Sequence, residues 1–223
     1  MNITVVGACG KLGSQICEVL TKNGHTVEKV DLTLNNSIST SKNTDGIIDA
    51  SLHTATINTA LFAASHNTPL LICSTGHSPN KQKQIRKICS NIPFCFCPNL
   101  SLGILFLQTC LSNLKILPAA NYTITETHHI SKKDKPSGTA LLLQNQIAKN
   151  TKTIPSISSI RSGDKIGTHQ ISIALNGEEI ILTHTAHSRR IYANGALKAI
   201  EALINSFPSE HSFCELIGGS YEN

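Results

Sequence analysis

The sequence predicts an α/β fold, with an N-terminal Rossmann-like parallel sheet followed by a second, α+β domain. Short β-branched runs alternate with helical patterns through the first hundred residues. The glycine cluster Gly7-Ala8-Cys9-Gly10-Lys11-Leu12-Gly13 stands where the first strand should give way to the first helix. Beyond Asn99 the pattern changes to alternating segments, two of them joined by Asn176-Gly177, a strong signal for a two-residue hairpin. At 223 residues, 40% of them apolar, the chain is long enough for one large domain or two modest ones with a sizeable core.

In chain order, Ile3 to Val6 reads as a strand that ends at Gly7, and Leu12, Ile16, Val19 and Leu20 recur at helical spacing. After the Lys22-Asn23-Gly24 stop, His25 to Val30 reads as a second strand and Gly46 to Ala50 as a third. Helical patterns at Thr54 to Ser65 and Lys81 to Cys89 separate apolar runs at Leu70 to Cys73 and Ile92 to Cys97. Those runs lack two-residue polarity, as strands buried on both faces do. Gly103 to Leu117 reads as one long apolar helix, and Tyr122 to Glu126 as a strand. Gly138 to Lys149 and Asn194 to Ser206 read as helices, and His169 to Leu175 pairs with Glu178 to Thr185 as the hairpin.

Composition narrows the function classes. No basic segment precedes the first apolar run, and the longest greasy stretch, Leu100 to Leu107, falls far short of the roughly 20 residues that cross a bilayer, so a soluble protein is expected. The eight cysteines lie mostly inside apolar segments and form no CxxC pair, a pattern that suits thiols in a reducing cytoplasm. The net charge of +5 is spread rather than striped and aromatics are 4%, which gives nucleic-acid binding no support; the cations suit an anionic small molecule instead.

Glycines at such a turn let backbone N–H groups approach a pyrophosphate at a helix N-terminus. The spacing here is GxxGxxG, which also describes a plain helix-entry turn; Asp31, about 20 residues on at the end of the second strand, adds a carboxylate suited to ribose hydroxyls. Lys11 offers a cation for a 2′-phosphate while Leu32-Thr33 follows Asp31, so NAD and NADP both stay open. Ser74-Thr75-Gly76 and Pro98-Asn99-Leu100-Ser101 follow the fourth and fifth strands, at the sheet edge where ligands bind, although ordinary loop chemistry explains them equally.

The densest cluster is ETHHISKKDKPSGTA, Glu126 to Ala140. Histidine is the natural proton carrier near neutral pH, and Lys132 adds an ammonium group. Ser137-Gly138-Thr139 opens a helix whose free N–H groups attract an anion. A solvated basic loop capped by Ser137 would explain the lysines and the serine but not His128 and His129. His184 and His187 stand at a spacing that does not bring both rings to one strand face, so no metal site is expected.

That run closely resembles the signature of the dihydrodipicolinate reductase family, E-x-H-H-x-x-K-x-D-x-P-S-G-T-A. VVGACGKLG, STG, PNLSLG, RSGDKIGTH and SRRIYANGA fall in the family's order along nearly the whole chain. The resemblance implies NADH- or NADPH-dependent reduction of 4-hydroxy-tetrahydrodipicolinate, a cyclic dicarboxylate, with loss of water, in diaminopimelate and lysine biosynthesis. It implies a proton donor and acceptor at His128, a second proton donor at Lys132, and substrate contacts at His129, Ser137, Gly138 and Thr139. Cofactor contacts are implied at Gly7, Ala8, Cys9, Gly10, Lys11, Leu12, Asp31, Cys73, Ser74, Thr75, Cys97, Pro98, Asn99 and Leu100. It further implies a cofactor domain of residues 1–99 plus 193–223, a substrate-binding and oligomerisation domain of 100–192, and a homotetramer built through the latter's sheets. The chain departs from the family at Cys73, where glycine is common, and at Leu52 and His53, which replace Arg-Pro. Two rivals are another two-domain dehydrogenase of amino-acid metabolism and a non-catalytic nucleotide sensor; a sensor has no use for the proton-carrying cluster.

Overall fold

The computed structural model describes residues 1–31, 43–117 and 120–218. Leu32 lies outside them. The described residues divide into two compact units, one of Met1–Leu100 together with 190–218, the other of Ser101–Arg189.

The first unit is built on five parallel strands, β1 (Asn2–Val6), β2 (Thr26–Val30), β3 (Gly46–Asp49), β4 (Leu70–Ile72) and β5 (Phe94–Phe96), in the order β2-β1-β3-β4-β5. Both faces of the middle strands are covered, which is why Ile47, Ile48, Leu70, Leu71 and Ile72 run on as apolar residues without alternation. Helices α2 (Thr56–Ser65) and α3 (Pro79–Ile88) bring Ala60, Ala63 and Ile85 onto Val6, Ile47, Leu70 and Ile72. Helix α1 (Lys11–Lys22) packs with α6 (Arg190–Ile204), whose Ile200 and Ile204 would be crowded by any Cβ at Gly46. A short last helix, α7 (Phe213–Leu216), escapes the sequence pattern; Ser212 and Glu215 close it with a reciprocal capping box.

The second unit has a four-stranded sheet in the order β7-β6-β8-β9, formed by β6 (Asn121–His128), β7 (Ser156–Arg161), β8 (Gly167–Leu175) and β9 (Glu178–Ala186). β6 and β7 are parallel, while β6–β8 and the β8–β9 hairpin are antiparallel. Gly177 takes the left-handed φ of +84° that the tight turn requires. Helices α4 (Leu102–Ser112) and α5 (Gly138–Thr151) cover one face, where Ile104, Leu107, Leu111, Leu143 and Ile147 meet Tyr122, Ile124, Ile171 and Ile173.

One expectation is corrected here, and one strand is added. The helix read over Gly103 to Leu117 ends at Ser112 and is followed by a 3₁₀ turn at Leu114–Ile116. The Ser112 hydroxyl and the Asn113 amide both donate to the Thr109 carbonyl, and the Asn113 N–H turns back to Cys110, so local polar bonds end the α-helix where apolar periodicity alone would continue it. Strand β7, Ser-Ile-Ser-Ser-Ile-Arg, was not foreseen, because its serines have little β-propensity and it forms only by pairing with β6.

Candidate active site

Strand alternation in β6 turns Tyr122, Ile124, Glu126 and His128 to the buried face, so the carboxylate and the imidazole stand two residues apart on one side of the sheet. Register then adds groups from both neighbours. Arg161 of β7 lies opposite His128, and His169 of β8 lies opposite Glu126. His128 Nδ1 meets Glu126 Oε2 in a short hydrogen bond, and its ring stands edge-on to that of His169 at 5.1 Å between centroids. A Cβ at Gly167 would come within 2.9 Å of His128 Nε2, so glycine leaves that nitrogen its space.

Glu126 is fully buried, and the Arg161 guanidinium grips both its oxygens at 2.9 and 2.8 Å. Burial alone would raise its pKa, but the bonds from Arg161, Ser159 and His128 outweigh that and hold it down at about 2. Burial lowers the pKa of His128, against the pull of Glu126, with Lys132 and Arg161 adding to the lowering. His169 is pushed down to about 4, chiefly by burial and then by His128.

The polypeptide after β6 returns to the same place. The Ser137 N–H donates to Glu126 Oε1 at 3.3 Å, and Ser137 Oγ caps α5 by accepting from the Ala140 N–H while bonding His169 Nε2 at 3.1 Å. Gly138, exposed and uncrowded, and Thr139 form the first turn of α5, whose open N-terminus favours an anion. Lys132 is largely covered and its Nζ lies 2.8 Å from Asp134 Oδ1; His129 faces away from the core and bonds Ser131 Oγ at 2.8 Å. His128, Lys132, Ser137, Gly138 and Thr139 therefore belong to one neighbourhood built around Glu126. Three of its members, Glu126, Arg161 and His169, had no role assigned from sequence. The signal for Arg161 and His169 was present in the RSGDKIGTH run.

In the first unit, the strand order reverses between β1 and β3, and the loops after all five strands share one carboxyl edge, the place where such sheets bind ligands. Gly7 turns at φ +81° and donates to the Val30 carbonyl, and a Cβ at Gly13 would sit 2.0 Å from the Gly7 carbonyl oxygen, so helix and loop touch through bare backbone. Ala8 is buried, Cys9, Gly10 and Lys11 are exposed, and Leu12 is half-buried. Asp31 accepts from the Cys9 N–H at 3.1 Å, which fixes its carboxylate beside the glycine loop. Ser74 is buried and donates to Asp49 while bonding Thr56 at 2.8 Å; Thr75 is exposed. Burial, then Asp49, keeps the Cys73 thiol protonated, so it fills space. Cys97 donates to the Asn99 carbonyl, with Pro98 exposed and Leu100 buried beside it. This cradle fits a dinucleotide: glycines that admit close approach, exposed N–H groups at a helix start, and a fixed acid at the end of β2.

His184 bonds Ser101 at 3.2 Å and packs against Gly103, while His187 is exposed. No helix of the described residues is long and apolar enough to cross a membrane.

The family described as dihydrodipicolinate reductase, N-terminus, matches residues 1–100, and the one described as dihydrodipicolinate reductase, C-terminus, matches residues 103–214. The chain is 33% identical to the 4-hydroxy-tetrahydrodipicolinate reductase of Thermosipho africanus, over 97% of this chain and 98% of that relative. It is 30% identical to the enzyme of the same name from Bdellovibrio bacteriovorus, over 98% and 97% of the two chains. The fold is shared with a dipicolinate-bound dihydrodipicolinate reductase from Paenisporosarcina sp. TG-14, at a TM-score of 0.79 and 18% identity over 95% of this chain and 97% of that one. An aspartate dehydrogenase from Thermotoga maritima is more distant, at a TM-score of 0.56 and 12% identity over 92% and 97% of the two chains.

Proposed function

The chain belongs to the dihydrodipicolinate reductase family, and on that premise we propose that it reduces 4-hydroxy-tetrahydrodipicolinate to tetrahydrodipicolinate, with loss of water, in diaminopimelate and lysine biosynthesis. The observation that carries this reading is the buried Glu126–His128 pair beside Lys132 and the open N-terminus of α5. The balance is one hydride and one proton taken up and one water released.

A reduced nicotinamide cofactor, NADH or NADPH, supplies the hydride when bound. The glycine loop Gly7 to Leu12, at the start of α1, would hold its pyrophosphate, and Asp31 would face its adenosine ribose. Loops Cys73 to Thr75 and Cys97 to Leu100 would line the nicotinamide. His129, Ser137, Gly138 and Thr139 hold the substrate carboxylates at the positive end of α5. Lys132 donates the proton, and the second ring nitrogen of His128 accepts and returns one, since Glu126 occupies the first. A homotetramer in the cytoplasm completes the reading: the free cysteines suit a reducing compartment, and Ile160 and Ile181 stand exposed on strands β7 and β9, where a partner sheet would cover them.

The test is NADH and NADPH oxidation followed by absorbance, with substrate generated in place from pyruvate and aspartate semialdehyde by the preceding synthase. Substrate-dependent oxidation with either cofactor is expected, and the faster one sets the preference. Folded protein that binds a cofactor but oxidises neither would return the chain to the nucleotide-sensor reading.

A further inference from the structure

We infer that Arg161 is the positioning residue of this site, clamping Glu126 so that His128 is held in one tautomer and fixing the loop that carries Lys132. The inference rests on the roles proposed above for His128 and Lys132.

Arginine has five N–H donors in a rigid fork, and in Arg161 every one is used. Two go to the Glu126 carboxylate, Nη1 to Oε2 at 2.9 Å and Nη2 to Oε1 at 2.8 Å. The other three go to main-chain carbonyls: Nη1 to Ile160 at 2.7 Å, Nη2 to Asp134, and Nε to Lys132 at 3.3 Å. The side chain is only 5% exposed. One group thus ties the acid that orients His128 to the backbone of the proton-donating lysine, across a sequence gap of 35 residues.

The consequence for His128 follows from hydrogen-bond arithmetic. Glu126 Oε2 receives Arg161 and Oε1 receives Arg161 and the Ser137 N–H, so the carboxylate is ionised and acts only as an acceptor. His128 Nδ1 must then carry the proton in that bond, which leaves Nε2, the nitrogen above Gly167, as the one that exchanges a proton. Charged and titratable groups face this ring from every side: Glu126 on its own strand, Arg161 from β7, His169 from β8 and Lys132 from the following loop. Removal of Arg161 leaves a buried carboxylate uncompensated, and such a group takes up a proton rather than stay charged. The Glu126 carboxyl can then donate as well as accept, so it no longer fixes the tautomer.

The experiment uses the full chain as Arg161→Met, Arg161→Lys and the double variant Glu126→Met/Arg161→Met, which removes both charges and the acceptor and guards against unfolding by a lone buried carboxylate. The ¹⁵N resonances of the His128 ring, identified by their absence in His128→Gln, report the tautomer. Wild-type protein should show a single Nδ1–H form, and Arg161→Met and the double variant should lose it. In turnover, kcat of these variants should fall about a hundredfold, with Arg161→Lys between them and wild type, and the KM for NADH or NADPH should be unchanged. Folded variants that keep both the Nδ1–H form and wild-type kcat would overturn the clamp. If wild-type protein shows no substrate-dependent oxidation, the proposed function fails, while the tautomer measurement still decides the role of Arg161.

Discussion

Lys132 pairs through its ammonium group with Asp134, which is itself exposed. Its loss therefore costs the fold little, whereas a proton donor held at one place is worth about 10²- to 10⁴-fold in rate. Lys132→Ala should lose turnover on that scale while binding NADH or NADPH as wild type does, measured by cofactor fluorescence titration. Retention of wild-type turnover would remove Lys132 from the chemistry. At this scale the sequence placed His128, Lys132 and Ser137 within one short run, and the fold keeps them in one neighbourhood around Glu126. The sequence opened that run with Glu126 but assigned it no role, because a carboxylate in a polar stretch looks like a surface acid until its burial is known. The departures at Leu52 and His53 leave both side chains exposed, and Cys73 is accommodated as a buried thiol.

At the scale of the element, the first strand, glycine turn and helix form one unit of local information. Gly13 lies inside α1, where any residue but proline would be a better helix former, and the reason for glycine is the 2.0 Å that would separate its Cβ from the Gly7 carbonyl oxygen. Gly13→Ala must push α1 and the loop apart, moving the Cys9 and Gly10 amides and the bond from Cys9 to Asp31. Cofactor affinity should fall at least about tenfold, equivalent to about 1.4 kcal/mol, read by titration with NADH; unchanged affinity would mean that the loop does not cradle the pyrophosphate. The parallel strands and most helices were legible because their apolar periodicity is local. β7 and the end of α4 were not, because one depends on a partner strand and the other on side-chain bonds to the Thr109 carbonyl.

For the whole molecule, several buried groups bias stability in one direction. Burial lowers the pKa of His77, His128, His169 and His184, against the pull of Asp49 at His77 and of Glu126 at His128, and His169 is pushed from 6.5 to about 4. Below pH 6.5 the unfolded chain then binds more protons than the native one, so stability is fully present above that pH and declines as pH falls towards 4. Glu126, lowered from 4.5 to about 2, extends the decline from pH 4.5 downwards, since its contribution is lost as the native carboxylate protonates. The unfolding free energy should therefore fall between pH 7.5 and pH 5, by up to about 1.4 kcal/mol per pH unit for each extra proton bound on unfolding, and the urea midpoint should fall with it. A midpoint constant over that range would show that these histidines are not buried neutral.

The sequence by itself determined the alternation of strands and helices, the glycine turn, the hairpin at Asn176-Gly177 and the chemical groups of the Glu126 to Ala140 run. All of these are written in neighbouring residues, through side-chain periodicity and turn chemistry. The tertiary structure decided which distant groups join them. Arg161 reaches Glu126, and His169 reaches Ser137 across 32 residues, only because β7 and β8 take a particular register beside β6. Register follows from the long-range match of buried faces, and burial in turn fixes the ionisation of Glu126, His128 and His169, which no reading of composition or spacing supplies.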